Sequence, residues 1–373
     1  MIIGIDGSRL NAQTLTGTER YTRAITAALI QAGAQHAIRL YVREPLESRD
    51  AALAAAANVT VVHIHQPRLW THVGLARELR ASPPDALFVP AHTLPVSFLS
   101  AGQRVGVRAV VTVHDCGFKR FPNAHPFRQR QYLEWGTRLS VNGARTVIVD
   151  SESTREDVLR YYNPAPAKVR IAHPALLPLR ETTDAFARLV LEKYRLISKS
   201  YLIHVGTVHP RKNLRRLIRA WAALGAAKGT RKLVLAGGPG WGNVDLPSEV
   251  ERLDAGDSVR LIGYISDEEK SVLIRMARAY VFPSLYEGFG FPVLEAQSVG
   301  VPVLCSNSSS LPEIAGKTAL TFDPLDVGAL TGALHSILSD DTLAATLASG
   351  GMRNVSRFSW EDCARHVLDA LGA

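Results

Sequence analysis

Cysteine is scarce: 373 residues contain three, Cys116, Cys305 and Cys363, far apart. That spacing makes neither a metal knuckle nor a disulfide scaffold, and it fits a reducing compartment. No apolar run reaches membrane-spanning length; the richest, 51–64, is interrupted by Asn58 and His63. The opening Met1-Ile-Ile-Gly-Ile-Asp6 lacks a basic region followed by a long apolar core, so no secretory signal is expected. Several catalytic signatures are also missing. There is no Asp-x-Asp and no complete Gly-x-Gly-x-x-Gly, since Gly238-Pro-Gly-Trp-Gly242 has the wrong spacing. Gly316-Lys-Thr318 ends like a phosphate loop, but Leu311 stands where its first glycine belongs. His-Glu-x-x-His and Gly-x-Ser-x-Gly are absent. These gaps exclude an ATPase, a zinc protease and an α/β-hydrolase. Arg128-Gln-Arg130 carries no interleaved aromatics, so no nucleic-acid partner is expected.

What is present is an ordinary globular composition, 46% hydrophobic and 21% charged, with an uneven charge. Residues 1–175 hold 21 Lys+Arg against 13 Asp+Glu, a net of +8; the remainder holds 22 against 21. The basic front half suits an anionic partner, such as a membrane surface. Short β-branched runs alternate with helical periods almost throughout. Strands are expected at 2–5, 38–42, 59–64, 86–89, 107–113 and 146–149, then at 201–205, 232–236, 259–262, 280–282 and 301–305. Ser153-Thr-Arg-Glu156 and Ser310-Leu-Pro-Glu313 have capping-box spacing. The stretch around Pro174 and Pro178 has no period and reads as a linker. The pattern predicts an α/β chain of two doubly wound parallel-sheet domains: 1–172, a linker at 173–183, and 184–356, with 357–373 returning to the first domain. Ligands of such sheets bind at the carboxyl ends of strands, and a cleft between two of them is the expected site.

The densest motif is Pro283-Ser-Leu-Tyr-Glu-Gly-Phe-Gly-Phe-Pro-Val-Leu-Glu295, between a strand and a helix. Gly288 and Gly290 permit close backbone approach to a ligand, and Pro292 suits the helix start. Glu287 and Glu295 are eight residues apart, roughly 12 Å if the interval were helical. A retaining glycosidase holds its carboxylates about 5 Å apart, so these two touch different parts of one long ligand. Gly206-Thr-Val-His-Pro-Arg-Lys-Asn213 likewise joins a strand to a helix. Arg211 and Lys212 at a helix start oppose the helix dipole, and a phosphate between them would satisfy both. Val111-Thr-Val-His-Asp115 presents His114 at a strand end, and Gly17 lies in the loop after the first strand.

With these residues in view, nearly the whole chain resembles glycosyltransferase family 4, retaining enzymes of the GT-B architecture. The paired glutamates, the Gly-Phe-Gly-Phe-Pro between them and the Arg211-Lys212 segment are similar to that family's signature. Pro90-Ala-His-Thr-Leu-Pro95, Val113-His-Asp115 and Asp150-Ser-Glu-Ser-Thr154 resemble its mannosyltransferase-like branch of bacterial surface polysaccharide synthesis. The resemblance implies that Arg211 and Lys212 hold the donor diphosphate and that Glu295 accepts from the ribose. It implies that Glu287, Gly288, Phe289, Gly290 and Phe291 hold the transferred sugar, and that Gly206 and Gly17 admit the phosphates. His114 would contact the sugar near its anomeric centre. No metal and no cofactor are implied, in keeping with the missing Asp-x-Asp. The first loop reads Gly17-Thr18 where the family often has two glycines, and His209 stands where it often has glutamate.

The expectation is a retaining hexosyl- or deoxyhexosyltransferase, with mannose from GDP-mannose as first choice. Its acceptor would be a lipid-linked glycan, and the protein would be cytoplasmic, peripheral on an anionic membrane. A soluble transferase would ignore vesicles, an epimerase would alter the donor with no acceptor, and a non-catalytic binding module would not turn over.

Overall fold

The computed structural model describes residues 1–10, 16–91, 93–99, 106–122, 126–240, 242 and 244–373. It contains two compact units: residues 1–120, 127–175 and 358–373 form one, and residues 121–126 and 176–357 the other. Residues 172–183 carry no helix or strand.

The first unit is built on β1 (Ile2–Asp6), β2 (Ala37–Val42), β3 (Val59–His63), β4 (Ala86–Val89), β5 (Arg108–Val113), β6 (Thr146–Val149) and β7 (Val169–Ile171). All pair in parallel, in the order β3-β2-β1-β4-β5-β6-β7. The interior strands β4 and β6 are buried at every residue, so their continuous Ala-Leu-Phe-Val and Thr-Val-Ile-Val are what a sheet covered on both faces requires. The final helix Trp360–Leu371 belongs to this unit: Trp360 lies 5.8 Å from the ring of Tyr21, and the Cys363 thiol reaches the Ala172 carbonyl at 3.7 Å.

The second unit holds β8 (Tyr201–Val205), β9 (Lys232–Ala236), β10 (Val259–Gly263), β11 (Ala279–Phe282), β12 (Val303–Ser306) and β13 (Leu320–Phe322), in the order β10-β9-β8-β11-β12-β13 and again parallel. Strand order reverses between β8 and β11, which makes the carboxyl ends of those two strands the ligand-binding edge of this sheet. Each sheet has one strand the sequence pattern does not announce, β7 and β13. Both are three-residue edge strands, too short to show a period.

Two local expectations are corrected. The helix Glu152–Tyr162 is capped by Ser151, whose hydroxyl accepts from the Thr154 amide (3.2 Å), and not by Ser153. Ser310 precedes the helix Leu311–Ala315, but its hydroxyl does not cap it; it is committed to the loop after β11.

The end of β9 leaves no room for a side chain. Gly237 has φ +149°, and a Cβ there would lie 1.9 Å from the Gly206 carbonyl oxygen. Gly237→Ala should therefore destabilise the protein by about 2 kcal/mol or more, read by denaturant unfolding. An unchanged midpoint would mean that the two strand ends can separate at no cost.

Candidate functional site

In the second unit, the loops after β8 and β11 meet. Pro210–Lys212 forms a single 3₁₀ turn, and Asn213, at φ +60°, separates it from the helix Leu214–Ala223. Arg211 and Lys212 thus precede the helix instead of occupying its first turn. His209 caps this turn, its Nδ1 accepting from the Arg211 amide at 3.3 Å. Asn213 is buried and donates from Nδ2 to the Pro283 carbonyl (3.1 Å) and the Pro324 carbonyl (2.7 Å), joining three loops at the sheet edge.

Glu287 lies at the focus. It is 8% exposed, and its carboxylate oxygens take Lys212 Nζ on Oε1 and Arg211 Nη1 on Oε2, each at 2.6 Å. Arg211 also donates to the Tyr286 carbonyl at 3.1 Å. Burial alone would raise the Glu287 pKa, but the two cations outweigh it and hold it down at about 2. Lys212 lies over the face of Phe282, 4.7 Å from its centroid. The cluster carries one net positive charge at the edge where anions are expected.

Three consecutive serines hold the Glu287 loop. Ser308 donates to the Ser284 and Leu285 carbonyls (3.2 Å each), Ser309 accepts from the Glu287 amide (2.9 Å), and Ser310 donates to the Glu287 (3.0 Å) and Phe289 (2.5 Å) carbonyls. Gly288 is half-buried, and Phe289 is buried against Phe291, ring centroids 5.0 Å apart. Gly290, at φ +123°, is the N-cap of the helix Phe291–Ser298, and a Cβ there would meet Leu311 at 3.0 Å. Pro292 is the second helical residue, where its missing N–H still costs no intrahelical bond. Glu295, 4% exposed within that helix, pairs with Lys270 Nζ at 2.5 Å. The two glutamates therefore belong to separate ion pairs, and only Glu287 joins Arg211 and Lys212.

Gly206 directly follows β8, its amide donating to the Ala236 carbonyl at 2.9 Å. A Cβ on Gly206 would sit 3.2 Å from His204 Nε2 and 3.7 Å from Lys212 Cε. His204 is fully buried, with Nδ1 on the Val281 carbonyl at 3.0 Å; Nε2 has no hydrogen-bond partner among the described residues. Burial, then the Lys212 charge, push its pKa down to about 4, so it is a neutral imidazole beneath the cations. His204 was missed by sequence reasoning, and Asn213 and Ser308–Ser310, though within the motifs it marked, were given no role in holding the site. A cavity of about 280 Å³ beside the turn, lined among others by His209, Arg215, Arg216 and Arg219, was equally silent in the sequence.

In the first unit, three expected segments converge on one ring. His114 follows β5; its Nδ1 lies 2.7 Å from Asp150 Oδ2, after β6, and its Nε2 lies 2.8 Å from the Pro90 carbonyl, after β4. Tyr21 covers it edge-on at 4.6 Å and reaches Thr112 at 3.2 Å. Both ring nitrogens thus face acceptors, which an imidazolium satisfies and a neutral imidazole does not. Burial would lower its pKa, but the Asp150 charge and bond, the Pro90 carbonyl and Asp115 outweigh this and raise it. His114 can hold a sugar hydroxyl only by exchanging one of these partners. Gly17 is the exposed first residue of the helix Gly17–Ala32; residues 11–15 of its loop lie outside the described residues. Among the described residues, no three His, Cys, Asp or Glu side chains gather as metal ligands.

Asp150→Asn should lower the His114 pKa, read by NMR titration of its ring protons. Stabilisation from this protonated ring is full below the ordinary imidazole value of 6.5 and is lost as pH rises through the raised folded value. The variant should lack that loss. An unmoved titration would show that Asp150 does not hold the charge.

Residues 192–353 match the family glycosyl transferases group 1, and residues 16–175 match the glycosyl transferase 4-like domain. The chain is 36% identical to an O-antigen chain mannosyltransferase B of Escherichia coli over 265 residues, 70% of each chain. It is 24% identical over its full length to a serotype-specific mannosyltransferase WbdA of Escherichia coli, covering 48% of that longer protein. Among solved structures, WaaG, a glycosyltransferase involved in lipopolysaccharide biosynthesis, superposes with TM-score 0.71 at 15% identity, over 100% of this chain and 99% of that one. The chain belongs to the group 1 glycosyltransferases, in the family 4 type with GT-B architecture.

Proposed function

We propose that this glycosyltransferase moves mannose from GDP-mannose to a lipid-linked glycan in bacterial surface polysaccharide synthesis. In this reading it acts with retention and without a metal, at the cytoplasmic face of a membrane. The observation that carries the donor assignment is the pairing of Arg211 and Lys212 with a single buried carboxylate. Two cations beside one acid carry a net positive charge at the ligand-binding edge of the sheet, and a nucleotide diphosphate complements it. The O-antigen relative, at 36% identity, supports mannose and the polysaccharide setting.

In this reading Arg211 and Lys212 exchange part of their contact with Glu287 for the diphosphate, and they stabilise the charge that develops on the leaving group. Glu287, released in part, turns to the transferred sugar together with the backbone of Gly288, Phe289, Gly290 and Phe291. Glu295 accepts from the ribose hydroxyls, Gly206 and Gly17 admit the phosphates, and His114 holds a sugar hydroxyl from the first unit. No metal is assigned, since the two cations provide the charge a metal would supply.

Two variants test the reading, assayed in EDTA. Lys212→Ala should weaken GDP and GDP-mannose by about tenfold or more while leaving guanosine nearly unaffected, read by thermal shift. Equal losses for nucleoside and diphosphate would remove the phosphate role. Glu287→Gln should bind GDP at least as tightly as the parent, because the competing carboxylate charge is gone, yet lose transfer. Weaker GDP binding in that variant would show that the carboxylate assists the diphosphate instead of competing with it. Loss of transfer by the parent protein in EDTA would overturn metal independence.

A further inference from the structure

His204 lies under the cation pair with one ring nitrogen unused. It belongs to β8 and is fully buried. Its Nδ1 is 3.0 Å from the Val281 carbonyl, which can only accept, so Nδ1 carries the ring proton. In the neutral ring Nε2 is then a bare lone pair, and it has no hydrogen-bond partner among the described residues. A buried acceptor without a donor destabilises a folded chain, so its retention needs a reason.

The nitrogen faces the end of the Lys212 stem. The place where a Cβ of Gly206 would stand is bounded by His204 Nε2 at 3.2 Å and by Lys212 Cε at 3.7 Å. Glycine at 206 therefore leaves the ring edge and the lysine on one gap. Phe282 is a shared neighbour. The His204 ring stacks on it with centroids 5.8 Å apart and 26° between planes, and the Lys212 ammonium lies 4.7 Å from its centroid. A lone pair repels a phosphate oxygen but accepts from an ammonium, whose three N–H groups can only donate. The choice of a neutral acceptor also matters. A second carboxylate would hold Lys212 by cancelling its charge, as Glu287 does. An uncharged imidazole and the face of Phe282 hold the ammonium and leave its charge for an anion.

We propose that His204 is a positioning residue for Lys212. When a diphosphate draws the ammonium from Glu287, Nε2 accepts one of its N–H bonds and keeps the charge at the end of β8. This role rests on the diphosphate reading of the site, and the experiment separates the failure of one from the failure of the other.

The test measures binding of GDP and of inorganic pyrophosphate by the full chain in EDTA, with thermal unfolding of the unliganded protein alongside. His204→Phe keeps an aromatic ring against Phe282 but removes the acceptor. It should bind both probes about tenfold more weakly. Without them it should melt no lower than the parent, since a partnerless acceptor is gone. His204→Gln returns a neutral side-chain acceptor and should recover most of the affinity. In a Lys212→Ala background, His204→Phe should cost nothing further, because the group it serves is missing. If His204→Phe does not fold, nitrogen-15 NMR of histidine-labelled parent protein decides. The Nε2 resonance should start at an unprotonated value and move upfield on saturation with GDP, and Lys212→Ala should abolish that movement at saturation. Four results would overturn the proposal and leave Lys212 its phosphate: unchanged affinity in His204→Phe, an equal loss with Lys212 already removed, an Nε2 resonance that stays still, or one that jumps to the imidazolium value. A loss that His204→Gln does not recover, with a lower melting temperature, would also overturn it and mark a packing role. If the parent binds neither GDP nor pyrophosphate, the diphosphate reading falls and this role falls with it.

Discussion

The burial of Glu287 is the constraint on which the second unit depends. A carboxylate removed from water costs several kcal/mol unless cations and donors replace the lost hydration. Arg211 and Lys212 do so from a loop 75 residues away in sequence, and that requirement pins the ends of β8 and β11 to each other. Leu285 reinforces it, its amide donating to the Arg211 carbonyl at 2.7 Å. The same geometry gives the site its chemical bias. Two cations share one carboxylate, so under the proposed function an anionic ligand would enter by substitution into an arrangement that is already formed, and little would have to be ordered on binding.

The supports of that cluster are polar and short. Asn213 and the serines 308–310 spend their hydrogen bonds on backbone carbonyls and an amide of neighbouring loops. Each such bond contributes about 1 kcal/mol, but together they leave the loop carrying Glu287 a single backbone course. Gly237 serves the same end by absence, since a Cβ there would lie 1.9 Å from the Gly206 carbonyl oxygen. His204 stays neutral, so it adds no charge to the cations above it.

The first unit uses a different device. His114 is held by a carboxylate and a carbonyl from the two strands flanking its own. This fixes the ring plane and favours its charged form. It also means that the residue is already fully partnered, so any ligand must compete with Asp150 or Pro90 for it.

Local matters were decided by the sequence alone. The alternation of β-branched runs and helical periods dictated two parallel-sheet series, because buried parallel strands need apolar residues on both faces and crossovers need helices. The residue types at 206–213 and 283–295 marked strand-to-helix loops with room for a ligand. The sequence pattern failed where its signals are short or ambiguous. Three-residue β7 and β13 show no period, and Ser310 has capping spacing but a stronger claim from the Glu287 loop. Partnership belonged to the tertiary structure. That Glu287 joins Arg211 and Lys212 while Glu295 joins Lys270, and that Asp150 and Pro90 close on His114, follows from strand order. Crossovers set β11 beside β8 and β6 beside β5, and no spacing along a chain encodes which distant loops such neighbours bring within bonding distance.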